Sequence, residues 1–192
     1  MKHKGLEILR FPDKDAFVKW LKTNWQQAES VWLMFAKKAS GEKSPTYEEA
    51  RDVAICYGWI DGLINKWDDD FYLLKFSKRR LRSQWSKINR EIAETLIKQK
   101  KMRAPGKAEV DRAKKDGRWA AAYDSPKNMK VPAWFEAMIK KNKIAYENYQ
   151  TLNKAERYSI AYDLQTAVKD ETKQRRAQKY FDQLVNKALN TK

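Results

Sequence analysis

The chain is poor in the residues that run most enzyme chemistry. It has one cysteine, Cys56, and one histidine, His3, among 192 residues. A lone cysteine forms no intramolecular disulfide and no thiolate zinc site, and nothing about it demands an oxidising compartment. With a single histidine beside it, the material for common metal centres and nucleophile triads is missing. No metal, no cofactor and no catalytic residue is therefore expected. Glycine (6) and proline (5) are scarce, which excludes collagen-like and low-complexity chains. No apolar run approaches the roughly 20 residues of a membrane helix, and the first residues do not form a signal-peptide core. The expectation is a chain with no membrane span that works in the cytoplasm. Negative charge is also short, 25 Asp and Glu against 41 Lys and Arg, a formal charge of +16.

What is present is apolar and aromatic. Hydrophobic residues make up 42% of the chain and aromatics 12%, too much for a disordered polyelectrolyte. The length suits one domain with a core, or one domain and a small helical appendage.

The first element reads as a helix, with Asp13 as N-cap and Ala16, Phe17, Trp20 and Leu21 on one face. Residues before it, His3 included, read as a loose end. Val31 to Phe35 is a short apolar run that suits a buried strand. Thr46-Tyr47-Glu48-Glu49 is a capping box, opening a helix through Tyr47, Ala50, Ala54 and Tyr57 that stops at Gly58. Trp59 to Trp67 and Phe71 to Phe76, separated by Asp68-Asp69-Asp70, suggest a β-hairpin. With the Val31 strand they make a three-stranded sheet.

Everything after Ser83 reads as helical. Ser83 is taken as the cap of a helix with Trp85, Ile88, Ile92 and Leu96 on one face. A turn at Ala104-Pro105-Gly106 leads to a short helix stopping at Gly117, and Asp124-Ser125-Pro126 is a loop. Pro132 starts a helix through Trp134, Phe135, Met138 and Ile139, and Asn153 with Glu156 starts another. Asp170 begins a last helix through Ala177, Phe181, Leu184 and Ala188. The expected class is α+β, predominantly helical, with a small mainly antiparallel sheet in the N-terminal half. The division is residues 1–125 as an α+β domain and 126–192 as a helical sub-domain packed on it.

Several blocks carry a resemblance. Ala54-Ile55-Cys56-Tyr57-Gly58-Trp59-Ile60-Asp61-Gly62 resembles the "ALCFGWIDG" signature of the bacterial YdeI/OmpD-associated family. Phe76-Ser77-Lys78-Arg79-Arg80 with Ser83-Gln84-Trp85-Ser86-Lys87-Ile88-Asn89 resembles its "F-T-P-R-R…S-x-W-S-x-x-N". Met102 to Gly106, Ala113 to Trp119 and Glu171 to Arg176 resemble further blocks, so the likeness runs over nearly the whole chain. Two departures stand out, Lys78 where the family has proline and Lys173 where it has arginine. Lysine keeps the charge but loses the planar fork for bidentate anion contacts. The resemblance implies a role in bacteriocin or antimicrobial-peptide protection, a form of stress resistance, and implies no particular reaction.

Three features carry candidate chemistry. The first is the cluster Trp59, Asp61, Arg79, Arg80, Ser83, Trp85, Ser86 and Asn89, with the Asp68 to Asp70 turn beside it. Read as a pocket, the arginines bind a small anionic ligand, the tryptophans wall it, and Ser86 and Asn89 orient it at a helix N-terminus. Read as architecture, Asp61 pairs with an arginine, the serines cap the helix and both tryptophans are core. Asp61 as a general acid–base is a third reading, with no second titrating partner beside it.

The second feature is charge. Lys75 to Arg82 holds five positive residues in eight, and Lys98 to Arg118 holds nine against three acidic ones. Trp85, Trp119 and Tyr123 lie among them, so non-specific nucleic-acid binding is the alternative function. The third is the last helix, whose stripe Ala177, Tyr180, Phe181, Leu184 suits packing better than a membrane surface. No protein partner is named by any of these features.

Overall fold

The computed structural model describes residues 1–186. Ala188, expected to continue the last helix, lies outside the described residues. The chain divides into two compact units, one of Met1–Ser83 with Glu91–Arg112, the other of Gln84–Arg90 with Ala113 onward.

The first unit is built on a five-stranded sheet. Its strands are β1 (Lys2–His3), β2 (Leu6–Arg10), β3 (Ser30–Ala36), β4 (Trp59–Lys66) and β5 (Phe71–Lys78), in the order β1-β2-β3-β5-β4. Two helices are interleaved, α1 (Lys14–Asn24) and α2 (Tyr47–Cys56). The apolar β3, the hairpin β4–β5 and both helix starts agree with the sequence. Asp13 accepts the Ala16 N–H at 2.8 Å, and the Thr46/Glu49 capping box is complete.

The sheet is mixed, because β2 runs parallel to β3 while the other three pairings are antiparallel. The first two strands depart from the sequence reading, which had a loose end there. Lys4 and Gly5, both at positive φ, make the tight turn of a β1–β2 hairpin. A two-residue strand has no periodicity to read.

Val31, Leu33 and Phe35 of β3 share a face with Leu74 and Phe76 of β5. Phe17 of α1 packs edge-on to Phe76 there, with ring centroids 5.8 Å apart. The opposite face has its own cluster, Trp32, Met34, Phe71 and Leu73. His3, on one edge strand, lies 5.0 Å from Trp32 and 5.9 Å from Trp67, just beyond the other edge strand. Side chains from the two edges of the twisted sheet therefore come together over Trp32.

Two more helices follow, α3 (Lys87–Lys98) and α4 (Ala104–Lys115), each crossing from one unit to the other along the chain. Ala104, Pro105 and Gly106, expected as a turn, are the first residues of α4 itself. Proline suits this place because its missing N–H has no helical partner in the first turn.

The face of α3 is also rotated from expectation. Asn89, Ala93 and Leu96 are its buried residues, while Ile88 is 46% exposed. Small Ala93, fully buried, permits a close approach that hydrophobicity does not advertise.

The second unit packs α5 (Ala133–Lys140), α6 (Lys143–Thr151), α7 (Lys154–Gln165) and α8 (Asp170–Asn186) around Phe135, Ile139, Ala145, Ile160, Leu164, Ala177 and Leu184. The α8 stripe is thus a packing face. Helix α6 was not expected. Its N-cap Asn142 accepts the Ala145 N–H at 3.0 Å, a capping signal that the sequence itself carries.

Candidate anion-binding site

Trp59 begins β4 directly after Gly58, whose φ of +73° ends α2. It is fully buried and edge-on to Trp20, with centroids 5.9 Å apart. The Gly58 carbonyl accepts the Arg79 N–H at 3.0 Å, and Trp59 pairs with Lys78 across the hairpin. The Trp59, Asp61 and Arg79 positions are therefore joined through the ends of β4 and β5. Arg79 is only 5% exposed and is engaged within the fold.

Asp61 is half-buried and is the last residue in register before a β-bulge over Asp61–Ile64. Its carboxylate accepts the Tyr47 hydroxyl at 3.0 Å. Tyr47 was legible only as the first residue of a helix. Burial, with the Asp61 charge behind it, pushes its phenol up to about 12, while Arg51 acts the other way. The Arg51 guanidinium lies 5.4 Å from the Tyr47 ring centroid and pairs with Asp52 at 3.0 Å.

Arg80, Leu81 and Arg82 stand exposed after β5, with Leu81 at 72%. The Ser83 hydroxyl accepts the Arg80 N–H at 2.9 Å, and the Arg80 carbonyl accepts the Ser83 N–H at 2.9 Å. These reciprocal bonds lock a tight turn. Among the described residues neither the Arg80 nor the Arg82 guanidinium has a carboxylate partner.

Trp85, Ser86 and Asn89 belong to the second unit. Trp85 is 1% exposed and edge-on to Trp119 at 4.9 Å. Its carbonyl accepts the Tyr123 N–H at 3.0 Å, and the Tyr123 carbonyl accepts the Lys87 N–H at 2.8 Å. This extended bridge stops α3 from starting any earlier. Ser86, not Ser83, caps the helix, its Oγ accepting the Asn89 N–H at 3.2 Å. Both serines sit three residues before an available N–H, and tertiary pairing of Trp85 selects the second. Asn89 is 9% exposed.

Comparison with known proteins matches two separate stretches of the chain. Residues 9–109 match a domain of unknown function, DUF8412, and residues 128–187 match the family described as bacteriocin-protection, YdeI or OmpD-associated. The chain belongs to the DUF8412 family and carries a YdeI/OmpD-associated domain. That domain spans α5 to α8, whereas the signature around Trp59 and the Arg79 to Asn89 block lie within the DUF8412 match. No curated protein and no solved structure matches the DUF8412 chain. Among its described residues no helix is long and apolar enough to cross a membrane, and no cluster of three or more His, Cys, Asp or Glu is arranged to hold a metal ion.

Proposed function

We propose that this chain is a bacteriocin-protection-type binding protein that performs no covalent chemistry and takes a small anionic ligand at the Arg80–Ser83 turn. The observation that carries the reading is the pair of exposed guanidiniums, Arg80 and Arg82, on a turn closed by reciprocal Arg80–Ser83 hydrogen bonds. Cations held by a fixed backbone lose less freedom on meeting an oxyanion than cations on a mobile loop. Arginine also offers a planar fork of donors to phosphate or carboxylate. A binding rather than catalytic role for Asp61 is supported by its partner. The Asp61 carboxylate is taken up by the Tyr47 hydroxyl at 3.0 Å, a phenol that burial pushes up to about 12.

The test is a thermal-shift series with inorganic phosphate, nucleotides, carboxylates and a short oligonucleotide, at low and at about 150 mM salt. A saturable rise in melting temperature that survives the higher salt and disappears in the Arg80→Ala/Arg82→Ala variant supports the site. If only the oligonucleotide acts, only at low salt, and the loss is spread over many lysines, the charge works diffusely. Non-specific nucleic-acid binding then replaces this reading.

A further inference from the structure

The other unit carries a cavity rich in positive charge, lined by residues far from the Arg80 turn in sequence. A cavity of about 350 Å³ lies beside the start of α7, lined by Lys127, Lys154, Arg157, Tyr158, Met129 and Leu152 among others. It carries three cations, and no carboxylate lines it. Glu156, the acidic residue nearest in sequence, is turned away into the α7 capping box, where its Oε2 accepts the Asn153 N–H at 2.7 Å.

One of the three cations is held by the fold. Arg157 donates from Nη2 to the Gln150 carbonyl at 2.5 Å and lies 5.5 Å from the centroid of the Tyr149 ring. Its Nε is buried with no acceptor among the described residues. Lys127 sits on a turn closed by the Asn128 N–H and the Ser125 carbonyl at 2.9 Å. The ends of that loop are tied to α7 by one amide. Gln165 accepts the Asp124 N–H at 3.0 Å through Oε1 and donates through Nε2 to the Lys130 carbonyl at 2.8 Å. Lys127 and Lys154 make no ion pair among the described residues.

Three like charges around one cavity repel each other unless an anion sits between them. The N-terminal end of α7 adds partial positive charge of the same sign. The remaining lining, Met129, Leu152 and the Tyr158 ring, is apolar and suits a hydrocarbon or planar group. The volume is at the small end of the ~300–1,000 Å³ usual for ligand pockets. We infer that this cavity of the C-terminal unit binds a phosphomonoester with an apolar or aromatic tail, its phosphate held by Lys127, Lys154 and Arg157. The inference is independent of the site proposed at Arg80.

The experiment titrates the full chain with phenyl phosphate by calorimetry at about 150 mM salt, where diffuse surface attraction is screened. Saturable binding is expected. It should weaken roughly tenfold or more in Arg157→Gln, as loss of a hydrogen-bonded charge does. Because Arg157 also contacts Gln150, the deciding variant is Lys127→Ala/Lys154→Ala, which changes two exposed side chains and should keep the parent melting temperature. Arg80→Ala/Arg82→Ala should keep the phenyl phosphate binding that Lys127→Ala/Lys154→Ala loses, which separates this site from the other one.

A parallel arm tests co-sedimentation with phosphatidate vesicles. Vesicle binding lost in the same double-lysine variant assigns the phosphate to a lipid headgroup. Binding of phenyl phosphate alone assigns it to a small molecule. No saturable binding of either probe, or binding unchanged by the double-lysine variant, overturns the inference.

Discussion

Gly106, near the start of α4, lies against the carbonyl oxygen of Cys56, the last residue of α2, with no room for a side chain between them. A methyl group at Gly106 would meet that oxygen, and would sit 2.6 Å from the Ile55 carbonyl and 2.5 Å from the Met102 sulfur. The Cys56 carbonyl also accepts the Arg103 N–H at 3.3 Å. The positive start of one helix thus meets the negative end of another. Gly58 completes the junction, at positive φ and with its Cα facing Glu109 and the Pro105 carbonyl. Gly58 of the signature and Gly106 are the spacers at this contact.

Gly106→Ala should therefore destabilise the protein by about 1–3 kcal/mol in denaturant unfolding, the usual cost of overpacking. Gly41→Ala is the control. Gly41 has φ +71° but nothing within 4 Å of an added methyl, so it loses only the ~1 kcal/mol of backbone strain. Gly106→Ala leaving stability at the parent value would refute the close contact.

Tyr47 and Asp61 give a pH signature. The folded protein holds the Tyr47 phenol up to about 12, against an ordinary value of 10.0. Below pH 10 the phenol is protonated in both states, and the shift has no effect on stability. Between 10 and 12 the unfolded chain releases this proton while the folded one keeps it, so stability falls as pH rises. Tyr47→Phe should flatten that fall, and phenolate absorbance should show one fewer late-titrating tyrosine. An unchanged pH profile in the variant would count against the pairing.

Cys56 should be inert. It is buried, and burial raises its thiol to about 11, so little thiolate exists at neutral pH. A colourless-to-yellow disulfide reagent should label it only in denaturant. Rapid stoichiometric labelling of the native chain would contradict the packing described.

Ser86 and Ser83 should separate cleanly. Ser86→Ala should cost roughly 0.5–2 kcal/mol and speed hydrogen exchange at the Asn89 amide, because the α3 cap is lost. Ser83→Ala should leave Asn89 exchange unchanged and loosen the Arg80 turn instead. The opposite pattern would restore Ser83 as the cap.

Local signals in this chain were readable where one short segment contains the whole interaction. The Thr46/Glu49 and Asn153/Glu156 capping boxes each span four residues, and both form. The acidic turn at Asp68 closes the β4–β5 hairpin, with the Asp68 carboxylate accepting the Phe71 N–H at 2.7 Å. The candidate cluster was less transparent. Trp59 and Trp85 occupy fully packed positions, and Asp61 takes a phenol from another element where an arginine was expected. Neither partner choice leaves a trace in neighbouring residues, since Tyr47 is 14 positions away.

By itself the sequence determined the class of the fold, the alternation of helix and strand from residue 13 to residue 78, and the excess of positive charge. It did so because hydrophobic period, caps and composition act over a few residues. Tertiary structure decided which ambiguous signals were used. Pairing of Trp85 with Tyr123 shifted the α3 cap to Ser86, and close approach to Cys56 turned Pro105-Gly106 into helix. The first hairpin exists because β2 finds β3 more than twenty residues later. Lys127 lines one cavity with Lys154 and Arg157 of α7, and Gln165 of that helix binds both ends of the loop that carries Lys127. Contacts between residues distant in sequence depend on the whole packed core, and no local pattern encodes them.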